Sequence, residues 1–334
     1  MGHLHKILVP LHYQLVQEWE NQDLVKTALR AKTVNDLALE AKEYPVPKNF
    51  KGTLRPYQLE GYRWMRTRQA AGLGACLADD MGLGKTRQAI VAMEVGAPMG
   101  KILVVCPASL KLNWKREIRL VDPGASIEVL GVDRDAPEDA RWIIVNYDIL
   151  GKHAGRLHGI NWSGVILDEA HFIKNASGRT SHVMRLLGVS ENARNPVLGP
   201  SQVYLLTGTP MTNRPRDLYN LLRCVGHPAS RSFLSFAKQY CGAYRNDFGW
   251  VTDGASNLDE LNLLMKEVML RRKKDEVLDL PPKVRSWVPV AVEGASLLNA
   301  HRRFANWLAA SDPSKPNDTA FLGELQRVRV ALHK

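Results

Sequence analysis

Five short apolar runs, spread over residues 74–206, constrain the fold of this chain more than any other feature. None of them alternates apolar with polar residues, which is typical of strands that are covered on both faces in a parallel sheet. The runs lie at 74–78, 102–106, 142–145, 165–167 and 203–206. Because the stretches between them have helical patterns, the sequence predicts an α/β fold in which helices form the crossovers.

The strand pattern is weaker outside this region. Residues 1–51 are predicted to be a helical appendage ending in a proline-containing linker, and we assign no chemistry to them. Residues 216–280 are predicted to be mostly helical, with a turn-rich break at 246–250. The patterns that follow predict one more strand at 287–292 and helices at 296–311 and 319–334.

Composition limits the classes of protein to which the chain can belong. The formal net charge of +11 favours polyanionic partners, because Lys and Arg release counterions from a phosphate backbone. The four cysteines form no CxxC pair, so we expect reduced, mostly buried thiols and no structural zinc. The sequence has no secretory signal and no apolar run of the roughly 18 residues that span a bilayer. We therefore expect a soluble intracellular protein.

The strongest local motif follows the first apolar run and precedes a helical pattern. It is DDMGLGKT at residues 79–86, the context that a phosphate loop requires. Gly82 and Gly84 allow backbone N–H groups to face one anion, and the helix N-terminus adds partial positive charge. Lys85 is expected to reach the β- and γ-phosphates, and the Thr86 hydroxyl to bind Mg²⁺. The strict pattern has Gly where this chain has Asp79, so a glycine-rich strand-to-helix turn remains the alternative.

Polar residues follow two later apolar runs. Asp168 and Glu169 end the fourth run, at the strand edge where ligands bind in α/β sheets. Asp168 is expected to hold Mg²⁺, Glu169 to polarise the attacking water, and His171 to relay the nucleotide state. Thr207 and Thr209 follow the fifth run and offer hydroxyls to the acidic motif or to a sugar-phosphate backbone. Taken alone, the acidic pair Asp168 and Glu169 is equally well interpreted as a solvated acidic turn, and the segment with Thr207 and Thr209 as an ordinary turn.

Together these motifs resemble the Swi/Snf-like group of superfamily 2 helicase-related ATPases, whose lobes are RecA-like. The matching segments are LRPYQLEG at 54–61, ADDMGLGKT at 78–86, VVCPASL at 104–110 with Trp114, DEAH at 168–171 with IKN at 173–175, and LTGTP at 206–210 with Asn213. Further similar segments are DLYNLL at 217–222, MLRRKKDEV at 269–277 and LPPK at 280–283. An acidic residue before the glycines is usual in that family, which accounts for Asp79. Residues 249–257 resemble the annealing-helicase branch, whose members rewind DNA and remodel forks.

The resemblance implies the site residues of a DNA-dependent ATP hydrolase. Lys85, Asp168 and Glu169 are the expected catalytic residues, with Mg²⁺ on Thr86 and Asp168. The expected ATP-binding residues are Arg55, Gln58, Asp80, Met81, Gly82, Leu83, Gly84, Lys85, Thr86 and Arg87, with Gln58 reading adenine. The expected coupling or DNA-contacting residues are His171, Ser109, Lys111, Thr207 and Thr209.

The resemblance also implies an architecture: a RecA-like P-loop parallel sheet flanked by helices, with a helical protrusion. The implied bounds are 1–51 for the appendage, 52–215 for the first RecA-like lobe, 216–290 for the protrusion and return to the lobe, and 291–334 for a helical linker toward a second lobe. The expected partners are ATP, Mg²⁺, double-stranded or forked DNA, and no membrane.

A second RecA-like lobe, which supplies an arginine finger in this family, is not found in the sequence after residue 283. The isolated lobe is therefore expected to bind ATP but hydrolyse it slowly, with its second lobe supplied in trans or lost. The alternative is a non-catalytic, nucleotide-dependent DNA-binding or regulatory module left by truncation. An RNA helicase of the DEAH-box type is less favoured, because IKN and LRRKKDE are typical of the DNA-acting branch. A bacterial or virus-infected cell is a more natural setting than a nucleus.

Overall fold

The computed structural model describes residues 44–47, 50, 52–70, 73–134, 137, 139–189, 200, 202–210, 214–279, 295–310 and 326. Two compact units are present, residues 1–279 and 280–334. Most of the predicted appendage at 1–51 lies outside the described residues, as do the strand predicted at 287–292 and most of the helix predicted at 319–334.

The first unit contains all the described strands. They are β1 (Ala75–Leu77), β2 (Lys101–Cys106), β3 (Ile127–Val129), β4 (Trp142–Asn146), β5 (Trp162–Asp168), β6 (Gln202–Leu206), β7 (Tyr244–Asn246), β8 (Gly249–Val251) and β9 (Met269–Leu270). Seven of them form one sheet in the order β3-β4-β2-β5-β6-β1-β9, and every neighbouring pair is parallel. The prediction of a parallel sheet from the five apolar runs is confirmed.

The described helices connect these strands. They are α1 (Pro56–Ala70), α2 (Lys85–Gly96), α3 (Lys111–Val121), α4 (Ala154–His158), α5 (Gly178–Leu186), α6 (Tyr219–Cys224), α7 (Phe233–Tyr240), α8 (Leu258–Val268), α9 (Lys274–Val277) and, in the second unit, α10 (Ala295–Ala310). The helix α10 matches the helix predicted at 296–311. Within the described residues, no helix is both long enough and apolar enough to cross a membrane.

Helices cover both faces of the sheet. Successive strand side chains point to opposite faces, so Ile102 and Val104 pack with α1, α2 and α3, whereas Leu103 and Val105 pack with α5, α6, α7 and α8. All four of these strand residues are fully buried. This two-sided burial explains why the strand sequences lack polar alternation.

The segment 216–279 leaves the sheet and then returns to it. It contains α6 and α7, an antiparallel hairpin of β7 and β8, α8, and finally β9, which pairs with β1 at the sheet edge. The predicted break at 246–250 is the turn and second strand of that hairpin. The strand β9 was not predicted, because two residues that continue an apolar helical pattern carry no strand periodicity of their own.

A buried polar group holds α8 beside α1. Arg68 on α1 is fully buried, and this burial lowers its pKa to about 10 while the charge of Glu267 on α8 opposes the shift. Glu267 also lies 3.0 Å from His227 Nε2, and His227 Nδ1 accepts a hydrogen bond from the Ala229 backbone N–H. Because an acceptor Nδ1 carries no proton, His227 is the neutral tautomer that donates from Nε2 to Glu267. This contact fixes the end of α8 and therefore the start of β9.

The four cysteines are buried free thiols. Burial raises the pKa of Cys76, Cys106 and Cys224 to about 12 each, so these thiols are protonated and unreactive at neutral pH. In the described part of the chain, no group of three or more His, Cys, Asp or Glu side chains has an arrangement that could hold a metal ion.

Candidate nucleotide-binding site

Three of the predicted motifs meet at the carboxyl edge of the sheet. The phosphate loop follows β1, the acidic pair ends β5, and the segment with Thr207 and Thr209 follows β6. Since β6 lies between β5 and β1, with Leu206 paired to both Asp168 and Leu77, the three segments are neighbours in space. This is the edge where parallel α/β sheets bind ligands.

The phosphate loop turns through two glycines with left-handed backbone angles. Gly82 has a φ of 86° and Gly84 a φ of 75°, and α2 begins immediately afterwards at Lys85. A Cβ at Gly84 would come within 2.4 Å of Gln58 Nε2, so both the backbone angle and the space require glycine. The Lys85 ammonium donates to the carbonyl oxygens of Asp79 at 2.7 Å and Asp80 at 3.3 Å. Lys85 therefore lies across the loop that an anion would enter.

The electrostatic surroundings of Lys85 act in opposite directions. Partial burial lowers its pKa from 10.5, whereas the nearby carboxylates, Glu169 foremost, favour the charged form. The two effects leave a partly desolvated ammonium next to acidic groups. A cation in such a place interacts more strongly with a phosphate than one in open solvent.

Gln58 connects the start of α1 to the phosphate loop. Its Oε1 accepts from the Arg55 backbone N–H at 3.0 Å, and its Nε2 donates to the Leu83 carbonyl at 3.1 Å. The Gln58 side chain is thus oriented by both ends of its amide. Arg55 itself is exposed.

Asp168 is a buried carboxylate held by two hydrogen bonds. Trp114 Nε1 donates to its Oδ2 at 2.8 Å, and the Glu169 backbone N–H donates to its Oδ1 at 3.0 Å. The Tyr147 hydroxyl donates to the Asp168 carbonyl at 2.8 Å. Burial raises the pKa of Asp168, and the hydrogen bond from Trp114 opposes that shift. Trp114 is fully buried, and its indole N–H also orients this acid.

Glu169 has a backbone conformation that non-glycine residues seldom adopt. Its φ is 50°, and this left-handed residue turns the chain from β5 into the short helix Ala170–Ile173. His171 Nδ1 lies 3.2 Å from Glu169 Oε2, but the two groups are not aligned for a hydrogen bond. Strained backbone of this kind is concentrated at functional sites.

A cavity of about 380 Å³ opens between the phosphate loop and α3. Its lining residues are Gln58, Met81, Gly82, Gly84, Lys85, Thr86, Arg87, Leu110, Asn113, Glu117, Asp168 and Glu169. It therefore brings together most of the predicted ATP-binding residues with all three predicted catalytic residues. The predicted residues Arg55, Asp80 and Leu83 do not line it. Conversely, the sequence did not indicate Leu110, Asn113 and Glu117.

A segment nearly 200 residues away buttresses the phosphate loop. Arg272, directly after β9, donates to both carboxylate oxygens of the fully buried Asp79, at 3.0 and 2.5 Å, and to the Gln88 side chain at 3.2 Å. It also bonds to the Tyr57 carbonyl. Arg271 donates to the carbonyls of Ala78 and Gly208, at 3.1 Å each. We call residues 269–274 the strap, because its residues Arg271 and Arg272 bind the phosphate loop.

The residues predicted to couple to DNA occupy different environments. Ser109 and Thr209 are exposed, whereas Thr207 is buried and its hydroxyl accepts from the Thr209 backbone N–H at 3.1 Å. Lys111 is buried, and its ammonium donates to the Leu130 carbonyl at 2.9 Å. In this arrangement Lys111 holds α3 to the end of β3 and is not presented to a DNA phosphate.

Comparison with known proteins agrees with this geometry. The family model described as the SNF2-related domain matches residues 57–298. The chain belongs to the SNF2-related family. This SNF2-related chain is 33% identical over 311 residues to the SWI/SNF-related matrix-associated actin-dependent regulator of chromatin subfamily A-like protein 1 of Xenopus laevis, covering 92% of this chain and 30% of that protein.

Two further relatives come from distant organisms. The human DNA annealing helicase and endonuclease ZRANB3 is 32% identical over 277 residues, which cover 78% of the SNF2-related chain and 24% of ZRANB3. The putative ATP-dependent helicase/translocase YwqA of Bacillus subtilis is 31% identical over 309 residues, which cover 83% of this chain and 32% of YwqA. The chain thus spans about a third or less of these relatives.

A solved structure extends the likeness to the fold. The SWI2/SNF2 ATPase core of Sulfolobus solfataricus, determined in complex with double-stranded DNA, aligns with a TM-score of 0.59 and 27% identity. The alignment covers 86% of the SNF2-related chain and 60% of that core. The parallel sheet and its flanking helices are therefore those of a RecA-like lobe of an SNF2 ATPase.

Proposed function

We propose that this chain is the ATP- and Mg²⁺-binding lobe of a DNA-dependent ATPase of the double-stranded DNA translocase type. The observation that carries the proposal is the cavity that joins the phosphate loop after β1 to the acidic pair after β5. A phosphate-binding loop and a carboxylate pair on one cavity wall are the parts that phosphoryl transfer from ATP requires.

The residues present fit a magnesium ion. The Thr86 hydroxyl and the Asp168 carboxylate both line the cavity, and hard oxygen donors of this kind bind Mg²⁺ together with water and phosphate oxygens. Asp168 is a buried acid with a raised pKa, so a cation beside it would offset the cost of its charge. When bound, the ion would neutralise charge on the phosphate oxygens.

The roles of the remaining groups follow from where they lie. Lys85 would move from the carbonyls of Asp79 and Asp80 to the β- and γ-phosphates. Glu169 would orient the attacking water and accept its proton, and its contact with His171 would report the nucleotide state to the neighbouring segment. Gln58 would bind adenine at the entrance of α1.

We propose that the macromolecular partner of this chain is DNA. The net charge of +11, the duplex bound to the Sulfolobus core and the annealing activity named for ZRANB3 support double-stranded or forked DNA. The proposed DNA contacts are Ser109 and Thr209, which are exposed. The buried Thr207 hydroxyl accepts from the Thr209 backbone N–H and so holds Thr209 in position.

Efficient hydrolysis is proposed to need a second RecA-like lobe. In phosphoryl-transfer enzymes an arginine finger accelerates turnover by about 10³–10⁵. Within the described residues that line the cavity, Arg87 is the sole arginine, and it pairs with Glu117. An arginine directed at the γ-phosphate, in addition to Lys85, would therefore come from the partner lobe.

The test measures ATP binding and hydrolysis by the purified chain. Isothermal titration with Mg²⁺ and ATP should show binding that Lys85→Ala abolishes and that the exposed control Lys266→Ala retains. Hydrolysis should be slow alone and rise when duplex DNA and a separately produced second lobe are added. Binding without any rescue of turnover would favour the non-catalytic DNA-binding module, and absence of binding would exclude both functions.

A further inference from the structure

One wall of the cavity comes from α3 and the residue before it. Leu110, Asn113 and Glu117 are spaced by three and four residues, so they form one stripe along the helix. The neighbouring stripe, with Trp114 and Ile118, is fully buried in the core. The same helix therefore contributes to the hydrophobic core and presents one apolar and two polar side chains to the cavity.

One carboxylate oxygen of Glu117 accepts no hydrogen bond from the described residues of this wall. Arg87 donates to Glu117 from Nε at 3.2 Å and from Nη2 at 2.9 Å, and both bonds end on the same oxygen, Oε2. Among the described residues, no donor bonds to Oε1. The Glu117 side chain is only 15% exposed, so this carboxylate oxygen is a fixed acceptor rather than a freely solvated one.

Asn113 is oriented in a complementary way. Its Oδ1 accepts from Arg116 Nη2 at 2.8 Å, which leaves the amide N–H groups as the donors available toward the cavity. One turn apart on α3, the wall thus offers a charged acceptor from Glu117 and neutral donors from Asn113. A vicinal pair of hydroxyls, each of which both donates and accepts, satisfies such a pair of groups.

Charge decides which part of a nucleotide can lie against this wall. A carboxylate repels phosphate oxygens, and the groups proposed to bind phosphate and metal come from other elements: Lys85 and Thr86 from the start of α2, and Asp168 from the end of β5. The sugar carries the hydroxyl donors of a nucleotide, and a carboxylate that accepts from ribose hydroxyls is how dinucleotide-binding α/β folds recognise ribose. We infer that Glu117, assisted by Asn113, binds the ribose hydroxyls of the nucleotide, so that removing a bound hydroxyl weakens binding. This inference rests on the proposed ATP site.

The experiment compares ATP, 2′-deoxy-ATP and 3′-deoxy-ATP by isothermal titration in the presence of Mg²⁺. The unsubstituted chain should bind ATP about tenfold more tightly than at least one deoxy analogue, the effect of one charge-assisted hydrogen bond. Glu117→Gln should remove most of that preference by weakening ATP alone, because Arg87 would hold the amide oxygen and leave a nitrogen at the free position. Glu117→Ala and Asn113→Ala should reduce the preference as well.

Glu128→Gln is the matched control. Glu128 pairs with Arg156 at 2.5 Å with a side-chain exposure of 11%, close to the 15% of Glu117, but it does not line the cavity. It should leave the ratio of ATP to deoxy-ATP affinity unchanged, and thermal unfolding will show that each variant is folded.

The outcomes separate this inference from the proposed function. Equal affinity of the unsubstituted chain for ATP and both deoxy analogues would overturn the inference and leave the ATP site intact. An equal loss of affinity for all three nucleotides in Glu117→Gln would show that Glu117 only supports Arg87, and would also overturn it. Failure of the unsubstituted chain to bind ATP would overturn both proposals.

Discussion

Individual residues of the site are held in states that a free side chain or backbone would avoid. Glu169 adopts a left-handed backbone angle that only glycine adopts without strain, and Asp168 is an acid in a buried position. Each of these states has a free-energy cost that binding a ligand would offset. The site is therefore where substitutions should separate stability from function.

Replacing Gly84 by alanine should abolish ATP binding. The substitution places a Cβ at a φ of 75° and within 2.4 Å of Gln58 Nε2, which costs about 1–2 kcal/mol from the backbone alone. The loop should then lose the geometry that directs its N–H groups to a phosphate. Nucleotide titration and urea unfolding measure the two effects. Gly178→Ala at the start of α5 is the control, because a Cβ there meets nothing within 4 Å.

Replacing Asp168 by asparagine should stabilise the nucleotide-free protein. Burial raises the pKa of Asp168, so the ionised carboxylate costs more free energy in the folded state than in the unfolded state, and a neutral isostere removes that penalty. The asparagine oxygen can still accept from Trp114, whereas the bond from the Glu169 backbone N–H is lost and offsets part of the gain. We expect a rise in Tm of about 2–4 °C for each kcal/mol gained, together with loss of Mg²⁺-dependent ATP hydrolysis. A lower Tm with unchanged hydrolysis would contradict this account of the residue.

Among elements, the strap has the most influence on the site. It adds β9 to the sheet edge beside β1, and it places Arg272 against Asp79. The strap therefore contacts both the strand β1 and the start of the phosphate loop that follows it. A two-residue strand buries little apolar area, and the ionic and hydrogen-bonded contacts therefore fix its position.

Replacing Arg272 by glutamine should destabilise the fold strongly. Asp79 is fully buried, and Arg272 is 11% exposed, so the substitution leaves a buried carboxylate without its charge partner at a cost of about 3–5 kcal/mol. Arg271→Gln is the comparison, since Arg271 is 43% exposed, lies 3.6 Å from Asp80 and otherwise bonds, among the described residues, only to the carbonyls of Ala78 and Gly208; its loss leaves no fully buried carboxylate and should cost less than that of Arg272. Urea unfolding compares the two variants. Equal losses would show that burial of the ion pair is not what matters.

Local elements could be predicted from the sequence, and the strap shows where prediction fails. The phosphate loop and the acidic pair were recognised because strand, turn and helix are contiguous in sequence. The pairing of Arg272 with Asp79 joins residues 193 positions apart, which no local pattern encodes. β3 and β9 have three and two residues, too few to show a period. Glu117 was missed because a charged residue on an amphipathic helix is ordinarily a solvated one.

At the scale of the whole molecule, the net charge bears on the proposed binding to DNA, and the cavity lined by the phosphate loop and the acidic pair bears on the proposed binding to nucleotide. The chain is basic, and its relatives include proteins named for DNA annealing and translocation. We therefore expect that the proposed duplex binding, through basic surface residues, can be measured separately from the proposed nucleotide turnover in the cavity.

Duplex DNA binding should weaken steeply with salt. Each phosphate neutralised by Lys or Arg contributes about −0.9 to the slope of log affinity against log salt concentration. Raising NaCl from 50 to 200 mM should therefore weaken binding by about tenfold for as few as two contacts. Fluorescence anisotropy with a labelled duplex measures the slope, and Lys85→Ala should leave it unchanged. An affinity that does not depend on salt would exclude a phosphate-binding surface.

The strap also sets a time at which the site is completed during synthesis. Arg272 is made 193 residues after Asp79, an interval of about 10–40 s at ordinary elongation rates of 5–20 residues per second. Throughout that interval the nascent chain contains the phosphate loop, but Arg272, the charge partner of the buried Asp79, has not yet been made. We therefore expect the proposed nucleotide site to be completed only after nearly all of the first unit has been synthesised.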